Sequence, residues 1–386
     1  MLAVVGAGLA AAAQIGKVPP AIAALRADLG IGLVAAGWVL SIFNVLGLLL
    51  GVGIGAASFR LGPRWLALSG LVLLALGGLA GALAPGAPAL LGARLVEGMG
   101  FLMVVISGPA LLAALARPAD LKLVFGWWGT YMPLGQALIM AVAPPLLAWF
   151  GWRGLWIANA ILVALAAPAL ALATRGLSRP RAAGGGAGVA GLFGEVRAML
   201  ASPRAVVPAL AFASYSLQYL ALTGFLPTLL GEEGLGEGPA AWATALVILA
   251  NAGGNVMGGA LLHQGWARSA LIALASAVMA VSAIGIFALG LPLELRYGLC
   301  LVFSGVGGFI PTSLLGGAAS FAPARHLVHA TNGLLVQGSN LGLVIGPPAV
   351  AALAVATGGW AWSPAILATS AACAVILALV LRRWER

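Results

Sequence analysis

Long apolar stretches follow one another almost end to end along this chain of 386 residues. A helix that crosses the hydrocarbon core of a bilayer needs about 20 predominantly apolar residues. Charged residues, prolines and glycines divide the pattern into segments of about that length. The pattern therefore predicts twelve transmembrane helices, numbered here as spans 1 to 12: residues 2–24, 32–57, 65–84, 89–115, 123–148, 153–174, 205–230, 239–262, 269–291, 297–321, 331–356 and 361–381.

One connection differs from the others because it is long, polar and rich in Arg and Gly. It separates the first six spans from the last six. We therefore expect an N-terminal six-helix bundle over residues 1–174, a cytoplasmic linker over 175–204 and a C-terminal six-helix bundle over 205–386. Within the linker, residues 192–200 place their apolar side chains on one face, which suits a short interfacial helix.

The two halves carry similar landmarks at nearly the same spacing. The pair Pro144-Pro145 in span 5 and the pair Pro347-Pro348 in span 11 lie 203 positions apart. The loop that begins at Gly55 resembles the loop that begins at Gly259, at an offset of 204. Self-similarity at a fixed offset indicates internal repetition. The predicted fold class is an all-α membrane protein with two pseudo-symmetric six-helix bundles.

Composition excludes a soluble domain. Hydrophobic residues make up 62% of the chain and charged residues 7%, whereas a soluble domain has about 25% charged residues. The formal net charge of +10 would suit a nucleic-acid-binding protein, but the basic residues are scattered between the apolar spans. Membrane topology explains that distribution, and we predict no nucleic-acid partner.

The distribution of Lys and Arg predicts the orientation, because loops rich in these residues stay in the cytoplasm. If the N-terminus is cytoplasmic, 14 of the 19 basic residues fall in cytoplasmic segments and 3 fall in outer loops. The other two lie inside spans. We therefore expect a multi-pass protein of the cell (inner) membrane with both termini in the cytoplasm.

Three short motifs occur in order along the first half. The loop after span 2 carries Gly55, Phe59, Arg60, Gly62, Pro63 and Arg64. Span 4 contains RLVEGMG, which begins at Arg94 and includes Glu97 and Gly98. Span 5 overlaps GWWGTYMPLGQALIMAVAPPLLAWFGWR, which contains Gly126, Gly135, Pro144 and Pro145.

The order of these motifs resembles the major facilitator superfamily of transporters, over the whole chain. In that family the loop reads Gly-x-x-x-Asp-Arg-x-Gly-Arg-Arg/Lys, so Phe59 replaces its aspartate and Pro63 a basic residue, while Glu97 replaces the Gln of the span 4 motif. Spans 1 and 5 resemble the cyanate-permease-like branch. The resemblance implies two bundles that rock about a central site to alternate access, a movement in which the motif residues and both proline pairs take part.

Three ionisable residues lie inside predicted spans: Lys17 in span 1, and Arg94 and Glu97 in span 4. Such a residue costs about 2.5–3.5 kcal/mol at the bilayer centre and is by default a functional-site candidate. Helix geometry places Lys17 and Arg94 at a similar depth. We predict a cationic pocket that binds a small anion, with Glu97 as the proton carrier. In the structural alternative, Arg94 and Glu97 pair to tune packing and Lys17 snorkels outward.

Polar side chains in other spans offer further substrate contacts. Gln337 and Asn340 in span 11 are three residues apart and face one way, so they rank highest. The predicted lining also includes Tyr131 and Gln136 in span 5 and Tyr215 in span 7. Hydrogen bonding between helices is the alternative role for each of them.

The chain lacks the residues that several classes of function require. The three intramembrane charges have no partner suited to bond breaking, so we predict no enzyme, and neither a cofactor nor a metal site is expected. The chain has no Gly–Lys–Ser/Thr phosphate loop for ATP. We expect a monomer whose partners are the lipid bilayer, a small-molecule substrate and protons. Two functions stay open: proton-linked or exchange transport of a small organic or inorganic anion, and proton-driven efflux of amphipathic drugs or metabolites.

Overall fold

The computed structural model describes residues 1–51, 62–117, 120, 124, 127–177, 194, 197–324 and 327–385. Within these ranges the regular structure is helical and contains no strand. Among the described residues, eleven runs of helix are long and apolar enough to cross a membrane. The longest run, Tyr131–Ala173, is two helices joined at the non-helical Gly151, so this part of the chain is consistent with the twelve predicted spans.

The first six spans follow the predicted order, although two of them are interrupted. Span 1 is Leu2–Gly16 followed by Val18–Leu29, and span 2 is Leu33–Ser41, a 3₁₀ turn at Ile42–Asn44 and helix to Gly51. Spans 3 and 4 are Pro63–Ala82 and Ala87–Leu115, and spans 5 and 6 are the two arms of Tyr131–Ala173.

The last six spans also follow the predicted order. Spans 7, 8 and 9 are Pro203–Glu232, Glu237–His263 and Arg268–Phe287. Span 10 is divided into Leu293–Gly307, Phe309–Leu315 and the short helix Ala318–Phe321. Span 11 is Val328–Thr357, and span 12 is a 3₁₀ turn at Trp360–Trp362 followed by Ser363–Leu381.

Local chemistry explains where the helices are interrupted. Gly151 adopts φ 64° and ψ −175°, a conformation that a residue with a Cβ rarely takes, and it separates spans 5 and 6. Span 1 is interrupted at Lys17, just before Pro19 and Pro20. Proline has no backbone N–H and cannot continue the helical hydrogen bonds of the preceding turn.

The chain forms two compact units. The first comprises Met1–Ala183 and Gly224–Ile248, and the second comprises Gly184–Thr223 and Leu249–Arg386. In the first unit, spans 3 and 4 approach closely at Gly70 and Gly100, where a Cβ added to either glycine would lie within 2.6 Å of the other's carbonyl oxygen. Small residues at such contacts let helix backbones pack directly.

Candidate functional site

A side chain of span 4 donates a hydrogen bond to the main chain of span 1 next to its interruption. Arg94 Nη1 donates to the carbonyl oxygen of Gln14 at 2.8 Å, one turn before the interruption, and Arg94 Nε donates to the carbonyl of Val39 at 3.2 Å. Val39 precedes the 3₁₀ turn of span 2, whose Phe43 ring lies 4.5 Å from the guanidinium carbon. Arg94 therefore holds main-chain groups next to two interrupted helices at once.

The three intramembrane charges meet in one network. Lys17 Nζ contacts Glu97 Oε1 at 2.6 Å, and Arg94 Nη1 pairs with Glu97 Oε2. Each oxygen of the carboxylate is thus paired with a different cation. Lys17, Arg94 and Glu97 are all 0% exposed, so the network lies in the protein interior and Lys17 does not snorkel.

Uncharged side chains complete the surroundings of Lys17. Its Nζ contacts Gln14 Oε1 at 2.6 Å and lies 4.6 Å from the centre of the Trp156 ring. Gln14 Nε2 in turn donates to the main-chain oxygen of Asn159 at 3.3 Å. Gln14, Trp156 and Asn159 are fully buried and were not predicted from the sequence.

The network contains one more positive charge than negative charges when all three groups are ionised. In that state two cations share a single carboxylate, and the excess charge is removed from water. Arg94 Nη2 is buried and finds no hydrogen-bond partner among the described residues, and the same is true of Trp156 Nε1. Buried donors of this kind are costly when unpaired, so the site retains capacity for an acceptor.

The other predicted residues of the first unit pack close to span 1. The Tyr131 ring stacks on Trp128 with centroids 4.5 Å apart, and both rings cover Gly8, where a Cβ would lie within 3.4 Å of each. Gln136 is buried, and a Cβ at Gly16 would lie 2.6 Å from its carbonyl oxygen. Spans 1 and 5 therefore pack directly against each other beside the network.

The polar residues of the second unit form a separate hydrogen-bonded chain. Asn251 Nδ2 donates to the Tyr215 hydroxyl at 2.9 Å and to the carbonyl of Ser304 at 2.8 Å. Asn255 Nδ2 donates to Asn251 Oδ1, and the Thr312 hydroxyl donates to Asn255 Oδ1. These bonds connect spans 7, 8 and 10, and Ser304 lies just before the interruption of span 10. Gln337 and Asn340 are half-buried on span 11.

The motif residues lie where helices begin or touch. Gly62 has φ 81° and precedes span 3, and Arg64 Nη2 donates to the carbonyl of Ala171 at 3.3 Å. A Cβ at Gly98 would lie 2.0 Å from the Phe43 oxygen, and one at Gly135 would lie 2.5 Å from the Leu9 oxygen. The two proline pairs lie inside helices: Pro144, Pro145, Pro347 and Pro348. The motif residues Gly55, Arg60 and Gly126 fall outside the described residues.

Comparison with solved structures identifies the fold. The chain is similar to the xylose transporter XylE from E. coli, with 16% identity, a TM-score of 0.77 and coverage of 100% of this chain and 95% of that chain. It is also similar to a bacterial homologue of the human lysosomal transporter Spinster (15% identity, TM-score 0.73, 98% and 94% covered) and to the nucleoside transporter NupG (13% identity, TM-score 0.76, 100% and 99% covered). Identities this low show the fold alone.

One family model matches most of the chain. The model of the Major Facilitator Superfamily matches residues 2–336, and no curated protein gives a significant match. The match and the fold confirm the predicted family, the helical membrane architecture and the transporter class. The chain therefore belongs to the Major Facilitator Superfamily, as a multi-pass membrane transporter rather than an enzyme.

Proposed function

We propose that this transporter moves a small organic or inorganic anion by alternating access, in a proton-linked or exchange mode, as a monomer. The observation that carries the proposal is the fully buried set of Lys17, Arg94 and Glu97, in which two basic groups share one carboxylate. Removing an ion from water costs several kcal/mol unless a counter-charge is present. An anion would supply that counter-charge.

The donors available to a ligand support an acceptor-rich substrate. Arg94 Nη2 and Trp156 Nε1 are buried N–H donors that lack partners within the described part of the chain. A guanidinium group suits carboxylates and other planar oxyanions because its donors lie in one plane. The site therefore favours a small anion that carries several acceptor atoms.

Access to this site requires a conformational change, because the three charged side chains are sealed from solvent. The interruptions at Lys17 in span 1 and at Ile42–Asn44 in span 2 lie beside the network. Short irregular turns absorb backbone rotation more readily than continuous helix. We expect these two turns to open the network when access alternates.

Thermal stability of the purified protein in detergent tests the proposal. A ligand at about 100 times its Kd stabilises the folded state by about 2.7 kcal/mol, so the substrate class can be recognised by a raised melting temperature. The panel contains nitrate, cyanate, formate, acetate and oxalate, together with amphipathic dye cations. We expect stabilisation by at least one small anion.

Two variants show whether the network is responsible. Lys17→Met removes the second basic group of the network and should abolish stabilisation by the anion. Asp28→Asn removes an ion pair with Arg153 whose side chains are 43% and 45% exposed, and it should leave the response intact. Stabilisation by dye cations alone, unchanged in Lys17→Met, would contradict the anion proposal and favour efflux of amphipathic compounds.

A further inference from the structure

The buried network has two electrically neutral states. One has lost a proton and holds no anion, and the other keeps the proton and binds a monovalent anion. With Lys17, Arg94 and Glu97 all ionised, the set carries one excess positive charge. Loss of a proton removes that charge, and so does the arrival of a monovalent anion. A fully desolvated site favours the neutral states over the charged one.

We propose that Lys17 carries the coupled proton, and that the proton and a monovalent anion bind together in a ratio of one to one. This inference rests on the proposed anion function and specifies its coupling. In the empty state Lys17 is a neutral amine. When the anion binds, the amine takes up a proton from the side on which the site is open, and the ammonium and the anion balance each other. Transport of the pair moves no net charge.

The contacts of each group favour Lys17 over the other two. Arginine stays protonated in proteins. Glu97 has one oxygen on Lys17 and the other on Arg94, and protonating it would increase the positive charge of the set. Lysine is the residue that readily exists as a neutral amine when it is buried. Lys17 is therefore the group whose protonation follows the presence of an anion.

The hydrogen bonds of Lys17 persist in both states. A neutral amine has two N–H donors, and Lys17 Nζ has two acceptors, Gln14 Oε1 and Glu97 Oε1, both at 2.6 Å. Protonation adds a third donor without breaking either bond. That donor and Arg94 Nη2, which has no partner among the residues described, supply two N–H groups for the anion.

The elements packed around Lys17 hold no other titratable group within the described contacts of its side chain. Span 4 contributes Arg94 and Glu97, and span 6 contributes Trp156 and Asn159, which do not titrate. Span 2 contributes the Phe43 ring against Arg94. The other ion pair described in this unit, Asp28 with Arg153, is partly exposed, and its further hydrogen bonds go to Trp152 Nε1 and the carbonyl of Ala84 rather than to Lys17.

Proton uptake on anion binding tests the inference. Purified protein in weakly buffered detergent solution is mixed with nitrate or formate, which do not titrate at neutral or alkaline pH, and a pH indicator measures the protons bound. The wild type should take up one proton per anion. Its affinity for the anion should weaken about tenfold for each unit of rising pH, as linkage to one proton requires.

Lys17→Arg is the decisive variant because arginine keeps its charge at every pH used. It should bind the anion with no proton uptake and no pH dependence, and its transport should become sensitive to membrane potential. Lys17→Met should bind neither proton nor anion, and Asp28→Asn should match the wild type.

The outcomes separate the two proposals. Steep pH dependence retained in Lys17→Arg would assign the proton to another group and overturn this inference, while the anion site would stand. Anion binding by the wild type without proton uptake would also overturn it. If the arginine variant does not fold, potential-sensitive transport by the wild type would contradict one-to-one coupling. No anion binding by the wild type would refute the anion function itself.

Discussion

Glu97 contacts two buried basic side chains, one through each carboxylate oxygen, without any contact with water. At the scale of single residues, this makes the three charged side chains unequal in their effect on folding. Removing the carboxylate leaves the Arg94 guanidinium buried without a counter-charge. Removing Lys17 leaves Arg94 and Glu97 as a neutral pair.

The stability of two variants tests this charge count. Glu97→Gln should lose about 3–5 kcal/mol, the usual effect of breaking a buried ion pair by removing one partner. Lys17→Met, which keeps a long apolar side chain, should lose far less. Apparent melting temperatures in detergent measure the difference. Equal losses, or a larger loss in Lys17→Met, would show that Glu97 is not the counter-charge on which the buried network depends.

The sequence predicts the charged members of the network because charge is costly inside a membrane. Gln14, Trp156 and Asn159 carry no charge. The contact of the Trp156 ring with Lys17 and the bond from Gln14 to the Asn159 oxygen depend on how spans 1 and 6 pack. Gln14 had one available signal, since it lies three residues before Lys17 on the same helix face. The roles of Tyr131, Gln136, Tyr215, Gln337 and Asn340 as substrate contacts remain predictions.

At the scale of helices, glycine positions determine how closely the spans approach. In the second unit, Gly338, Gly342 and Gly346 follow one face of span 11 and meet main-chain oxygens of span 7, where an added Cβ would lie 2.0–2.3 Å away. Span 8 meets span 10 in the same way at Gly254, where an added Cβ would lie 1.7 Å from the Gly305 oxygen. These contacts leave no room for a methyl group.

Two adjacent glycines of span 8 form a matched test. Gly254→Ala forces its methyl group into the Gly305 carbonyl and should destabilise the protein by about 1–3 kcal/mol or more. Gly253→Ala places its methyl group in open space and should be neutral or slightly stabilising. Thermal unfolding monitored by size-exclusion chromatography compares them. A Gly254→Ala variant as stable as Gly253→Ala would contradict the close approach of spans 8 and 10.

Hydropathy predicts the helices themselves, while their interruptions are harder to predict. Spans 1, 2 and 10 were expected to be continuous, yet each is divided. Pro19 and Pro20 provide a local reason in span 1. The 3₁₀ turn of span 2 packs against Gly98 of span 4, where an added Cβ would lie 2.0 Å from the Phe43 oxygen. Because this turn depends on a contact with another helix, the sequence of span 2 carries no comparable signal for it.

At the scale of the whole molecule, the distribution of Lys and Arg predicts cytoplasmic termini. Single cysteines introduced into a background without Cys300 and Cys373 test this orientation. Gly236→Cys lies in the loop between spans 7 and 8 and should react with a membrane-impermeant maleimide in intact cells. Gln264→Cys, between spans 8 and 9, should react only after the membrane is opened. The reverse labelling pattern would invert the predicted topology.

The central claim is that the buried basic residues Lys17 and Arg94, which share one carboxylate, select an anion for transport. The most direct measurement is the initial rate of nitrate and formate uptake into proteoliposomes with an inward proton gradient, for the wild type, Lys17→Met and Asp28→Asn. The account predicts saturable uptake of at least one of these anions by the wild type and Asp28→Asn, accelerated by the gradient, and none by Lys17→Met. Equal anion uptake by Lys17→Met and the wild type would contradict the account.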